Sequence, residues 1–520
     1  MLSSVTFAPN SEQGIALRDV LPPRDKPWWR YSSMLSLNLL LLGCVVADMT
    51  NGYDGTMLNG LQIIPAWQTF FNKPTGSALG LITNGTRIGG VGALFVVNPL
   101  IERLGRRRPI AIGSAFMLLG IALQTAATNL PMFIIGRVII GFGNTIQQCC
   151  CPILLSELAH PSQRAQITGI MNASGSLGQV LAAWITFGTA KMVATSWSWR
   201  LPSLLQALTS IFQFVMAFVM PESPRWLVYN NRNEEARQIL AKYHADGDNE
   251  SPLLHFEMME IESTLEQEKL QCTTSWFEWF RTPANRHRFF VIISLGFMIQ
   301  WCGNAIISYY LHLMLISMGI TNTDTQLVVN GCVTINGLVW GVLFSTLIDR
   351  LGRRFLFLGG MAGMFVAFTL LTVFTGVNES HGFSMTGLSA GALSMIFIFN
   401  FFYKMASPTQ DPYFMEISPY HLRSQTSVIK AFGDTGANLF SGFVNPIALD
   451  AIGWRYYIVW CCVLIGNFTT IYFFFPETKG LSLEEVTQML DGKATLKEQA
   501  LNEGDESSLK QPVVELEEHV

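Results

Sequence analysis

Residues 103–107 read RLGRR, and residues 350–354 read RLGRR again, 247 positions further on. Each copy follows an apolar run long enough to cross a bilayer as a helix, which takes about 20 residues. Arginine is costly in hydrocarbon, so each copy marks a point where the chain leaves the membrane. Two further pairs keep nearly the same interval. A proline–glutamate end to a run occurs as PESPRW (221–226) and PETKG (476–480), 255 positions apart. The pattern E-x6-R occurs as ELAHPSQR (Glu157 to Arg164) and EISPYHLR (Glu416 to Arg423), 259 apart. Three pairs, each placed after the equivalent apolar run, make the chain a duplication.

Composition points the same way. Half of the 520 residues are hydrophobic and only 13% are charged, too few to cover a soluble protein of this size. Twelve apolar runs are expected to span, the first at 34–56 and the last at 455–475. The expected fold is an all-α polytopic membrane protein, twelve transmembrane helices in two pseudo-symmetric six-helix halves. Its domains would be an N-terminal segment (1–33), a first half (34–220), a linker with short helices (221–288), a second half (289–475) and an acidic, disordered tail (476–520). A net charge of −4 says little about partners. The nine cysteines lie almost all in apolar runs, as buried small hydrophobes rather than disulfides or a metal site. No basic segment and cleavage site mark the first run for removal.

Basic loops stay cytoplasmic, and IERLGRRRP and DRLGRR contrast with loops after spans 3, 7 and 9 that hold no Lys or Arg. Both termini are therefore expected inside. On that map Asn84 and Asn467 fall in spans and Asn249 in the linker, whereas Asn378 in VNESHG faces outward as the glycan candidate.

The repeated motifs place opposite charges at span ends. Glu102, Arg103, Arg106, Arg107, Glu157, Arg164, Glu222 and Arg225 in the first half match Asp349, Arg350, Arg353, Arg354, Glu416, Arg423 and Glu477 in the second. Pairs that join the halves in one state and break in the other would form a cytoplasmic gate, giving the two states that alternating access requires. The plainer reading is that basic loops only fix orientation.

NGYDG in span 1, ERLGRRRP, GRVIIGFG in span 4, SELAHPSQR, PESPRW, DRLGRR and PETKGLSLEE together resemble the sugar porter family of the major facilitator superfamily, from about residue 45 to 486. Within it, QWCGNAIISYYL (300–311) and FVNPIALDAIGWRYY (443–457) look most like the fungal lactose-permease and cellodextrin-transporter branch. The resemblance implies a proton-coupled uptake carrier for a hexose or a disaccharide such as lactose or cellobiose, in the plasma membrane. Its partners would be the bilayer, a small sugar and protons, with no nucleic acid; the protein would act as a monomer without cofactor.

Asp54 and Arg137 are charges inside spans, which usually have a partner or a function. In proton-coupled members of the family, acids and arginines at these positions pair, and protonating the acid loosens the pair. For a polyhydroxylated solute, neutral amides both donate and accept hydrogen bonds. The resemblance places Gln179 on a sugar-contacting glutamine, with Asn172 replacing another. It sets Gln300 on one of a glutamine pair whose other place holds Ile299. Asn304 stands beside the family's asparagine position, held here by Ala305, and Tyr309 and Tyr310 would form an outer lid or pack. Asp411, in SPTQDPYFMEISP (407–419), takes the place of a sugar-stacking tryptophan, and Asp434 that of a sugar-binding amide.

Three accounts of these two acids stay open. Lys404 precedes Asp411 by seven residues and Lys430 precedes Asp434 by four, spacings that allow pairing along one helix face. One acid could be a second proton site, or both could recognise a cationic solute. The last would suit a transporter, even an exporter, of a charged metabolite. A sugar sensor would carry a longer tail, and an enzyme would need a phosphate loop, metal cluster or nucleophile–base set, none of which the sequence offers.

Overall fold

The computed structural model describes residues 27–192, 195–271, 276–419, 422–481, 485–486 and 489–490. The acidic tail lies almost wholly outside them, as do the side chains of Asp349 and Arg423. Every regular element among the described residues is a helix. Six long helices form the first half: α1 (Ser32–Ile63), α2 (Gly76–Leu104), α3 (Arg107–Thr125), α4 (Leu130–Leu158), α5 (Arg164–Ala190) and α6 (Trp197–Val219). Six form the second: α7 (Pro283–Gln300), α8 (Thr323–Leu351), α9 (Arg353–Ser380), α10 (Thr386–Ala406), α11 (Arg423–Ile452) and α12 (Tyr456–Phe474). Nine helical stretches among the described residues are long and apolar enough to cross a membrane. Helices suit that medium because they satisfy their own backbone polar groups. Large apolar side chains such as Phe95 and Phe473 point outward, where lipid rather than water would meet them.

The RLGRR motif has a local physical reason. Gly105 (φ 88°) and Gly352 (φ 94°) adopt left-handed backbone that ends α2 and α8 and lets α3 and α9 begin almost at once. A Cβ on Gly105 would lie 2.4 Å from Oε2 of Glu222, and one on Gly352 would lie 2.9 Å from Oε2 of Glu477. The glutamates use that space. Glu222 accepts from the N–H groups of Arg106 (2.8 Å) and Arg107 (3.2 Å), and Glu477 from those of Arg353 (2.9 Å) and Arg354 (3.0 Å). Glu157 pairs with Arg106 (3.2 Å) and Glu416 with Arg353 (2.8 Å), while Ser223 and Thr478 cap the same carboxylates. Among the described residues, these bonds of the charge clusters close within each half in this conformation. Glu102, Arg103, Arg164 and Arg350 are exposed at the same end, and Arg225 is half-buried there.

The halves meet through α2 against α11 and α5 against α8, a symmetric pair of contacts. The described hydrogen bonds between them lie away from the arginine-rich end. Asn59 joins Asn330 (3.0 Å) and the N–H of Leu311 (3.2 Å), Gln62 reaches the Tyr309 carbonyl (3.0 Å), and Gln68 meets His312 (2.6 Å). The described hydrogen bonds that join the halves therefore gather toward the C-terminal end of α1.

The linker's charged runs are helices, Asn233–His244 and Pro252–Gln271, docked through the His244–Glu257 pair (2.8 Å) and a contact from His244 Nε2 to the Leu158 carbonyl (3.1 Å). Asn378 differs from its expected role. Its side chain is buried, and the amide nitrogen donates to the Met318 carbonyl (3.1 Å) and Ser389 Oγ (2.8 Å). A glycan acceptor must reach solvent, so this asparagine is a packing group.

Candidate functional site

Between the halves lies a cavity of about 420 Å³, within the range of small-molecule sites. Close helix packing builds its first wall. A Cβ on Gly89 would lie 1.9 Å from the Val138 carbonyl oxygen, and one on Gly141 would lie 1.9 Å from that of Thr86, so α2 and α4 touch backbone to backbone. That approach lets Arg137 Nε reach across from α4 to the Ile82 carbonyl (2.8 Å). Its two terminal nitrogens then fork onto Asp54 of α1 at 3.1 and 3.3 Å. Gln206 of α6 donates to the same carboxylate at 3.1 Å. Both charged groups are buried, and a two-point arginine–carboxylate pair fixes geometry as well as energy. Sequence reading found the pair but missed Gln206, whose only signal is an amide in a span.

The second wall comes from a broken helix. α7 stops at Gln300, Gly303 takes φ 93°, and helix resumes at Asn304–Tyr309 and again at Leu311–Ser317. A Cβ on Gly303 would strike the Phe368 ring at 2.7 Å, so the break is packed in place. Interrupted helices at the midplane are how many carriers bring side chains and backbone to a solute.

Nine neutral amides line the cavity, among them Asn51, Asn59, Gln179, Gln300, Asn304 and Asn330, with Tyr309, Tyr403, Asp54, Arg87, Arg137 and Lys404. The structure brings Gln179, Gln300, Asn304 and Tyr309 together in this lining. Tyr310 packs instead, its hydroxyl donating to the Gly442 carbonyl at 2.6 Å. Asn172 is exposed two turns nearer the arginine-rich end of α5 and is not part of the lining.

Asp411 and Asp434 also lie outside the lining. Lys430 contacts both, at 3.0 and 2.8 Å, and Lys404 takes no part in the pairing. A 3-10 turn at Ser407–Thr409 shifts the helix phase between Lys404 and Asp411, which ends the one-face relation that a spacing of seven assumes. Lys404 turns into the cavity and Asp411 toward solvent.

The family model described as "Sugar (and other) transporter" matches residues 40–490. An MFS-type transporter of Aspergillus cristatus, criB, is 28% identical over 477 residues, covering 91% of this chain and 97% of its own. High-affinity glucose transporter 1 of Candida albicans is 27% identical over 467 residues, covering 85% and 84%. The xylose transporter XylE from E. coli, solved in an inward-open conformation, superposes with a TM-score of 0.72 at 20% identity, over 87% of this chain and 99% of its own.

Proposed function

Because the chain belongs to the sugar (and other) transporter family, we propose that it is a proton-coupled uptake carrier for a sugar or sugar derivative. It is a membrane transporter, not an enzyme. In this reading twelve spans cross the plasma membrane with both termini cytoplasmic, and the amide-lined cavity is the solute site. The protein then stands in a state open to the cytoplasm, since the halves join at the opposite end. A glucose transporter among the relatives and a xylose transporter among the structural neighbours support the solute class.

One observation carries the coupling: a buried carboxylate, Asp54, whose ion pair with Arg137 forms part of the cavity wall. Protonation removes the charge on Asp54 and leaves the Arg137 guanidinium without a counter-ion. The link between α1 and α4 loosens, and the two ends of the cavity can exchange access. Outside, a proton enters with the solute; inside, its loss restores the pair.

The test is uptake of labelled glucose, lactose and cellobiose into cells lacking their own carriers, at acidic and neutral external pH. Accumulation of at least one should rise on the acid side, and Asp54→Asn should abolish accumulation while still exchanging labelled for unlabelled solute. Acid-stimulated accumulation that survives in Asp54→Asn overturns the coupling, and the carrier is overturned when neither these sugars nor their carboxylate or phosphate derivatives enter.

A further inference from the structure

Four charged side chains line the cavity, and only two cancel. Asp54 and Arg137 neutralise each other. Arg87 and Lys404 face the same space, and among the described residues neither has a carboxylate within ion-pair distance. Arg87 on α2 is held by neutral groups alone: its terminal nitrogens donate to Asn84 Oδ1 (2.9 Å) and Asn438 Oδ1 (3.2 Å), and its guanidinium lies 4.6 Å from the Tyr309 ring centre. These contacts orient the charge without compensating it.

Lys404 on α10 is placed just as deliberately. Its stem runs along two glycines of α8, one helical turn apart. A Cβ on Gly337 would stand 3.2 Å from Lys404 Cε, and one on Gly341 would stand 3.6 Å from Cδ. The glycines give the stem a groove, and the ammonium ends in the cavity rather than at an interface with water and lipid headgroups. The acids that were candidates for attracting a cation, Asp411 and Asp434, are occupied by Lys430 outside the lining, where the three carry one net negative charge.

A cavity with two uncompensated cations among neutral amides fits a solute that brings its own negative charge. We propose that the carried solute is an anionic polyol, a sugar derivative bearing a carboxylate or phosphate, with Arg87 and Lys404 binding its anionic group and the amides its hydroxyls. This rests on the reading of the cavity as the solute site of a carrier, and it names the class of solute. The two cations come from different halves, so an anion between them also draws the halves together around the solute.

Purified full-length protein would be titrated with D-glucose, D-glucuronate and D-glucose 6-phosphate, which differ at one carbon, and reconstituted for uptake of each. Glucuronate or the phosphate should bind about tenfold or more tightly than glucose, the better of the two identifying the anionic group. Lys404→Met and, separately, Arg87→Gln should each erase most of that preference, read as the ratio of anion affinity to glucose affinity within each variant. The preference itself is the readout, because a general packing defect weakens all three ligands alike; Lys404→Arg should retain it.

Charge balance gives a second measurement that needs no variant. Glucuronate entering with one proton moves no net charge, so its uptake should ignore an imposed membrane potential. Glucose transported as well as or better than both anions overturns the proposal and leaves the carrier intact. If none of the three binds or enters, the carrier reading fails and this proposal with it.

Discussion

Lys430 shows how much one side chain can settle. It reaches Asp434 one helical turn away on α11 and Asp411 on the separate helix Gln410–Ile417, tying the two segments together. Its own side chain is mostly buried, Asp434 is largely so, and Asp411 is 67% exposed. Those exposures rank the substitutions. Asp411→Asn removes the solvated partner and should cost under about 1 kcal/mol. Lys430→Met leaves two carboxylates without a counter-charge, one of them buried, and should cost about 3 kcal/mol or more. Thermal unfolding of the detergent-solubilised variants would show this order, and equal losses would refute it. The i, i+4 partner was legible in the sequence because a helix fixes that distance. The longer-range partner was not, since it depends on a 3-10 turn that spacing alone does not reveal.

At the scale of elements, α2 and α4 position the ion pair by touching backbone to backbone. Gly89 and Gly141 make that contact possible, and even a methyl group at either would fall 1.9 Å from a carbonyl oxygen of the facing helix. Alanine there must push the helices apart. The overpacking should cost about 1–3 kcal/mol, and the displacement should carry Arg137 away from Ile82 and Asp54. Gly89→Ala and Gly141→Ala are therefore expected to lose transport as well as stability. Gly92→Ala on the same α2 meets nothing within 4 Å and should change neither. Uptake and melting temperature measured side by side would show whether the losses follow the contact or merely the substitution of a glycine. GFG (141–143) on α4 is legible in the sequence as a place of close approach, because small residues in apolar spans let helices approach. The sequence did not reveal Arg87 and Lys404 as cavity groups. A lone cation in an apolar run was visible at both positions, but which wall it faces is decided by helix rotation, a tertiary property.

The whole molecule is a duplication, and for that reason the fold was the most legible part of it. Three motif pairs at nearly one interval fixed two like halves, and Arg106, Glu157 and Glu222 find their counterparts in Arg353, Glu416 and Glu477 bond for bond. The conformational state was beyond reach, because one sequence serves every state that a carrier visits. The contacts between halves now define it. Asn59 makes two of them, each worth about 1 kcal/mol, whereas the exposed Lys191–Asp324 pair adds little. Asn59→Ala should then move the balance between end-states by up to about 2 kcal/mol, roughly thirty-fold, toward opening at the C-terminal end of α1. With the native cysteines replaced, a cysteine at position 411 reports on the other end, since Asp411 is exposed there. Its reaction with a soluble maleimide should slow when Asn59→Ala is added, while Lys191→Ala leaves the rate within about twofold. An unchanged rate in Asn59→Ala would mean that the Asn59 contacts do not hold the molecule in this state, and that the balance is set at the arginine-rich end, where the described bonds of each cluster close within its own half.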